Sequence, residues 1–163
     1  RWTWNHSMNN SSPDFQIRPI AQGDREQWEI LFLAYGVFYE TDFSPDVLDG
    51  VWKWLMNPSH PIKAWVASGD HGLLGFAHLR FHDDTFTAGP AWFLDDLFTS
   101  PQARGKGVAT ALITALQDHA ARHGGGTLRW ITGAENTTAQ SLYDSLATRT
   151  SWVMYEQEID ESS

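Results

Sequence analysis

Apolar and polar residues alternate along Phe15–Ile20 (FQIRPI), the two-residue period of a strand. From Asp24 the period lengthens. Trp28, Leu31, Phe32 and Tyr35 share one face of a helix that runs to about Tyr39, with Asp24 as its cap. SPDVLDGVWKWLMN predicts a second helix, with Ser44 at the N-cap, Pro45 at the first helical position and Asn57-Pro58 closing it. KAWVASG and LLGFAHLRF read as a hairpin turning at Gly69–Gly72. After a DDTFTAG loop, AWFLDDLFTS is a further strand. VATALITAL opens a helix to about His123, stopped by Gly124–Gly126. TLRWITG reads as a short strand, NTTAQSLYDSLA as a helix capped by Asn136, and SWVMYEQEI as a last strand. The order β–α–α–β–β–β–α–β–α–β predicts an α/β domain. Its mixed central sheet is antiparallel early, helix-crossed later, and flanked by about four helices.

Composition narrows the function classes. A chain of 163 residues favours one domain. Nine Trp and nine Phe suit an aromatic core or an aromatic-lined cleft. A net charge of −9 argues against binding phosphate backbones or anionic membranes, and is compatible with a cationic substrate. The absence of Cys excludes disulfides, thiolate metal sites and a cysteine nucleophile. No apolar run approaches the ~20 residues that span a bilayer, and no secretory h-region opens the chain, so the expected setting is cytoplasmic. Residues 1–13 read as a flexible segment, with Arg1–Ser7 as an addition before a native start at Met8. The expected domain covers 14–163.

The strongest chemical signal is Arg104-Gly105-Lys106-Gly107, between a strand and a helix. A helix start offers up to four unpaired N–H groups and the positive end of the macrodipole. Glycines remove the Cβ atoms that would block an anion's approach. Arg104 to Ala109 can therefore cradle a pyrophosphate. The Walker pattern fails, because Gly107 stands where Ser or Thr is needed. The dinucleotide fingerprint fails at Thr110, where it requires glycine. An ordinary glycine-rich turn with solvated basic residues remains the alternative on spacing alone.

Gln102-Ala103-Arg104-Gly105-Lys106-Gly107 fits Q/R-x-x-G-x-G/A and resembles the acetyl-CoA signature of the GNAT superfamily of N-acetyltransferases. FLDDLFTSPQARGKGVATALI, LGFAHL and NTTAQSLY are similar to segments of its diamine/polyamine and Hpa-type branch, in the same order, over roughly residues 15–159. One departure stands out. Many members follow the tyrosine with a segment ending in Gly-Phe, and YDSLATRTSWVMYEQ lacks that pair.

The resemblance implies acetyl transfer from acetyl-CoA to a primary amine by direct attack on the thioester, without a metal. It assigns the cofactor to the backbone of Leu97, Phe98 and Thr99, to Arg104, Gly105, Lys106, Gly107, Val108, Ala109 and Thr110, and to Asn136. Lys106 matters less than the N–H groups around it. Neutralising a lysine-like amine at pH 7 costs about 4–5 kcal/mol, so a base or a desolvated pocket is needed. The resemblance points to Asp95 as that base and to Tyr143 as proton donor to the thiolate. Strand alternation places Asp95 and Asp96 on opposite faces, leaving Asp96 structural or substrate-facing. His78 and His82 share one strand face and are further base candidates. Tyr35, Phe38, Tyr39, Glu40 and Asp42 suit a cationic acceptor, a polyamine, small amine or protein amine. A homodimer, with the last strand pairing across subunits, is expected. The alternatives are a non-catalytic acyl-CoA-binding domain of the same fold, or a nucleic-acid module using Arg104, Lys106 and Arg129, which the net charge disfavours.

Overall fold

A computed structural model describes residues 14–162, so the expectations for residues 1–13 lie outside the described part. The chain divides into two compact units, Arg1–Trp130 and Ile131–Ser163. In the first, β1 (Phe15–Pro19), β2 (Ile62–Gly69), β3 (Gly72–Asp84), β4 (Gly89–Thr99) and β5 (Thr127–Arg129) form one sheet in that order. The first four strands are antiparallel. β5 joins β4 in parallel through Ala91, Trp92 and Phe93 only. That parallel step is made by a helical crossover, α3 (Val108–Arg122). The expected α/β architecture with a mixed sheet is therefore the observed one.

Helices α1 (Arg25–Phe38) and α2 (Pro45–Met56) cover one face. Phe76 and His78 of β3 meet Phe32 of α1. A Cβ added at Gly75, one residue before Phe76 and so on the opposite side of the pleat, would instead lie 3.1 Å from Val108 of α3, so α3 covers the other face. Trp28, Phe32, Trp52 and Phe76 make the core under α1 and α2, with Trp28 and Trp52 rings 5.2 Å apart. Leu112, Ile113 and Leu116 do the same for α3. Each such side chain contributes about 1.5–3 kcal/mol by leaving water. Ser44 caps α2 as expected, its hydroxyl accepting from the Val47 N–H at 3.3 Å.

Asp24 does not cap α1 with its side chain. It accepts two hydrogen bonds from Arg18, at 2.7 and 2.9 Å, and a third from the Ala21 N–H. It is only 7% exposed. The Arg18 hydrogen bonds above all, with that of Ala21, hold its carboxyl below the usual range against the opposing effect of burial. A carboxyl lowered in the folded state stabilises the fold above its unfolded pKa, about 3.9, and loses that contribution as pH falls through the folded value. Asp24→Asn should therefore lower the melting temperature at pH 7. The gap to the wild type should close below about pH 4, which paired thermal melts across pH will check.

In the second unit, α4 (Thr137–Leu146) begins as expected, with the Asn136 side chain accepting from the Ala139 N–H at 3.1 Å. The expected strand over SWVMYEQEI is absent, and 147–162 carries no helix or strand. Alternation makes a strand only where a neighbouring edge supplies hydrogen bonds. Trp152 and Tyr155 stay 84% and 91% exposed. TLRWITG likewise shortens to the three residues of β5.

Candidate functional site

The cradle is built by a sharp exit from β4. The Ser100 N–H donates to the Leu74 carbonyl at 2.8 Å, and a short 3-10 turn, Pro101–Ala103, buries Ala103 as an anchor. Gly105 and Gly107 then adopt φ of +78° and +82°, in the left-handed region. A Cβ at either would meet nothing within 4 Å, so the backbone faces open space. Gly107 is the N-cap residue of α3, and its carbonyl accepts from Ala111 at 3.0 Å. The N–H groups of Val108, Ala109 and Thr110 precede that first helical bond and have no acceptor within the helix. Val108 itself is buried, while Arg104 and Lys106 are exposed. This concave, positively polarised backbone fits an anionic phosphate group.

Leu97, Phe98 and Thr99 pair with Ala77, Phe76 and Gly75 of β3. On their other side β5 stops at the partner of Phe93. Among the described residues no strand pairs with that edge of β4 from Leu94 to Thr99, which leaves main-chain groups for an extended ligand.

Between the cradle and β5, β4 carries a bulge. Leu94 pairs with Leu79 and Asp96 with His78, so Asp95 has no cross-strand partner. The consequence corrects the alternation argument, because the two aspartates do not point to opposite faces. β3 runs through uninterrupted, so His78 and Arg80 share its α1 face, and each holds one of the aspartates. His78 Nδ1 lies 2.8 Å from Asp96 Oδ2. Arg80 donates from Nε and Nη2 to Asp95, both at 3.0 Å, and its guanidinium also lies 5.2 Å from the centre of the Phe93 ring. An extra residue in one strand breaks the two-residue period locally, which is why two successive side chains come to one face.

Tyr35 of α1 reaches the same place. Its ring packs against Phe76 and Phe98, and its phenol lies within the electrostatic reach of Asp96. Burial first, then the negative charge of Asp96, pushes the phenol well above its ordinary pKa, so it stays protonated and neutral. Tyr39 sits edge-on to Tyr35 at 4.9 Å. Glu40 follows in the left-handed region at φ +56°, and the Thr41 N–H returns to the Gly36 carbonyl at 2.8 Å to close α1. Glu40 and Asp42 are exposed on this turn.

His82 donates from Nδ1 to the Asp83 carbonyl at 3.2 Å and is not joined to the aspartates. Asn136 and Tyr143 belong to the second unit, where Tyr143 is half-buried on α4. Sequence reasoning passed over Arg80 and the hydrogen bond from Trp28 to His78, 50 residues apart. The first had a signal, the one Arg or Lys in β3. Among the described residues no group of three His, Cys, Asp or Glu is placed to hold a metal, and no helix is long and apolar enough to cross a membrane.

Known proteins are similar to this chain. Residues 25–147 match the acetyltransferase (GNAT) family. The D-amino-acid N-acetyltransferase HPA3 of Saccharomyces cerevisiae is 28% identical over 162 residues, covering 92% of this chain and 98% of its own. A crystal structure of a probable acetyltransferase superposes with a TM-score of 0.79 at 23% identity, over 90% of this chain and 99% of its own. The aminoglycoside N-acetyltransferase AAC(6')-Iy, solved in complex with CoA, does so at 0.78 and 22% identity, over 91% and 97%. These two show the common fold, and the family match spans most of the chain from α1 to the end of α4. The chain belongs to the GNAT family of acetyltransferases and is an acyltransferase.

Proposed function

We propose that the protein is an acetyl-CoA-dependent N-acetyltransferase acting on a primary amine. One observation carries this reading. The strand that bears the acidic bulge ends in the glycine cradle, so Asp96, a carboxylate with no Lys or Arg paired to it among the described residues, stands three residues before Thr99, roughly 10 Å along the strand. A phosphate-binding backbone and an ammonium-binding carboxylate at that spacing suit a nucleotide-linked acyl donor and an amine.

Acetyl-CoA, when bound, supplies the acetyl group as a thioester. The N–H groups around Gly105, Gly107, Val108, Ala109 and Thr110 hold its pyrophosphate, with Arg104 and Lys106 adding screened charge. The open edge of β4 at Leu97, Phe98 and Thr99 pairs with its extended arm. Asp96 receives the acceptor ammonium, with Tyr35, Tyr39 and Glu40 around it. Asp95 is 27% exposed and at the bulge, and it passes the departing proton to water. The family motif assigns Asn136 to the cofactor and Tyr143 to protonation of the leaving thiolate. The yeast relative's name adds D-amino acids to the acceptors worth testing. The exposed Trp152, Val153 and Tyr155 support a homodimer built by pairing this segment with a second copy.

The test is release of free CoA with a panel of 1,5-diaminopentane, phenylethylamine, D-alanine and a lysine peptide. Turnover of at least one is expected, with a large loss in Tyr143→Phe. Tight acetyl-CoA binding with no turnover of any amine would leave a non-catalytic acyl-CoA-binding domain instead.

A further inference from the structure

His78 is the most deeply placed polar side chain of the site, 1% exposed, and both of its ring nitrogens are engaged. The Trp28 Nε1–H points at Nε2 from 3.0 Å. An indole N–H can only donate, so Nε2 carries the lone pair. The ring proton therefore sits on Nδ1 and is donated to Asp96 Oδ2 at 2.8 Å. A second proton on the ring would set two N–H groups against each other at Nε2. Trp28, 0% exposed and clamped between Phe32 and Trp52, cannot turn away without disturbing the core.

The charges differ across the bulge. Asp95 is neutralised by Arg80, whose two hydrogen bonds form a bidentate pair. Asp96 is held by a neutral donor, the imidazole Nδ1–H, with the protonated Tyr35 phenol near it. Its position is fixed while no Lys or Arg among the described residues pairs with it, and its side chain remains 23% exposed. A protonated imidazole in the same place would fix the carboxylate equally well and cancel its charge.

We propose that His78, locked in its Nδ1–H tautomer by the Trp28 indole, is the positioning residue that holds Asp96 as a fixed, uncompensated anion for the acceptor ammonium. The inference rests on the amine-acceptor reading and adds to it a reason why Asp96, rather than Asp95, receives the amine. His78 acts through Asp96 and does not itself touch the acceptor.

Two measurements test it. In the first, nitrogen-15 NMR of the histidine-labelled wild-type protein at pH 7 reads the tautomer without any turnover. A protonated Nδ1 and bare Nε2 are expected for His78, with the Nε2 resonance moving in Trp28→Phe. A protonated Nε2, or a doubly protonated ring, overturns the proposal. In the second, steady-state kinetics use whichever amine of the panel the wild type turns over. His78→Leu should raise the acceptor KM roughly ten- to hundredfold, the worth of a hydrogen bond to a charged group, with acetyl-CoA affinity unchanged. His78→Asn, which keeps a donor near the Nδ1 position, should recover most of the loss. An unchanged KM in His78→Leu, or no recovery in His78→Asn, defeats the proposal. If His78→Leu does not fold, His78→Asn and the tautomer decide. Should the wild type acetylate no amine, the amine-acceptor reading fails, while the tautomer still judges how Asp96 is held.

Discussion

Asp96→Asn should raise the acceptor KM about a hundredfold, and Asp95→Asn should instead lower kcat. The two side chains are adjacent and chemically identical, so the split must come from their surroundings. Asparagine at 96 keeps the size of the side chain. It removes the charge that faces the ammonium, and it sets an amide N–H or a weaker acceptor against the His78 donor. Truncating one partner of a desolvated charge pair costs about 2–5 kcal/mol in binding, which is thirtyfold or more. Asp95 already spends its charge on Arg80, so its loss takes little from ground-state binding of a cation. What it removes is a proton path at the bulge, where general-base assistance is worth about a hundredfold or more in rate. Steady-state kinetics of both variants with one amine at saturating acetyl-CoA decide the matter. A KM effect in Asp95→Asn with kcat spared would reverse the two roles.

That the aspartates share a face could not be read from FLDDLF. A bulge is one unpaired residue in an otherwise regular strand, and its composition differs in nothing from the alternation around it. The same holds for Trp28 and His78. Each is legible as a core or site residue, but their hydrogen bond depends on how α1 lies across β3, 50 residues on. Elements with a strong period and explicit stops were legible. Ser44-Pro45 opens α2, the glycine run after α3 ends it, and Gly105 and Gly107 mark the cradle because their backbone conformations exclude most other residues. The last strand failed for the opposite reason. SWVMYEQEI has the composition of a strand, yet composition cannot supply the edge that a strand needs, and within this chain β5 offers three residues.

Gly107→Val should raise the Kd for acetyl-CoA at least a hundredfold, while Lys106→Ala should raise it only two- to fivefold. Gly107 sits at φ +82°, which a β-branched residue enters at a cost of about 1–2 kcal/mol. The fold itself has room for the side chain, because a Cβ there meets nothing within 4 Å. The anion does not have that room. The added atoms stand in the mouth of the N–H groups that open α3, and two or three charge-assisted hydrogen bonds of about 1.5–3 kcal/mol each are weakened together. The Lys106 ammonium is exposed and screened, and one such charge near a phosphate is worth about 0.3–1 kcal/mol. Calorimetric titration of acetyl-CoA into both variants, with thermal melts to confirm that Gly107→Val remains folded, separates a backbone cradle from a point-charge site. If Lys106→Ala proved the more damaging of the two, the phosphates would be held by the side chain, and the left-handed glycines would serve only to turn the chain into α3.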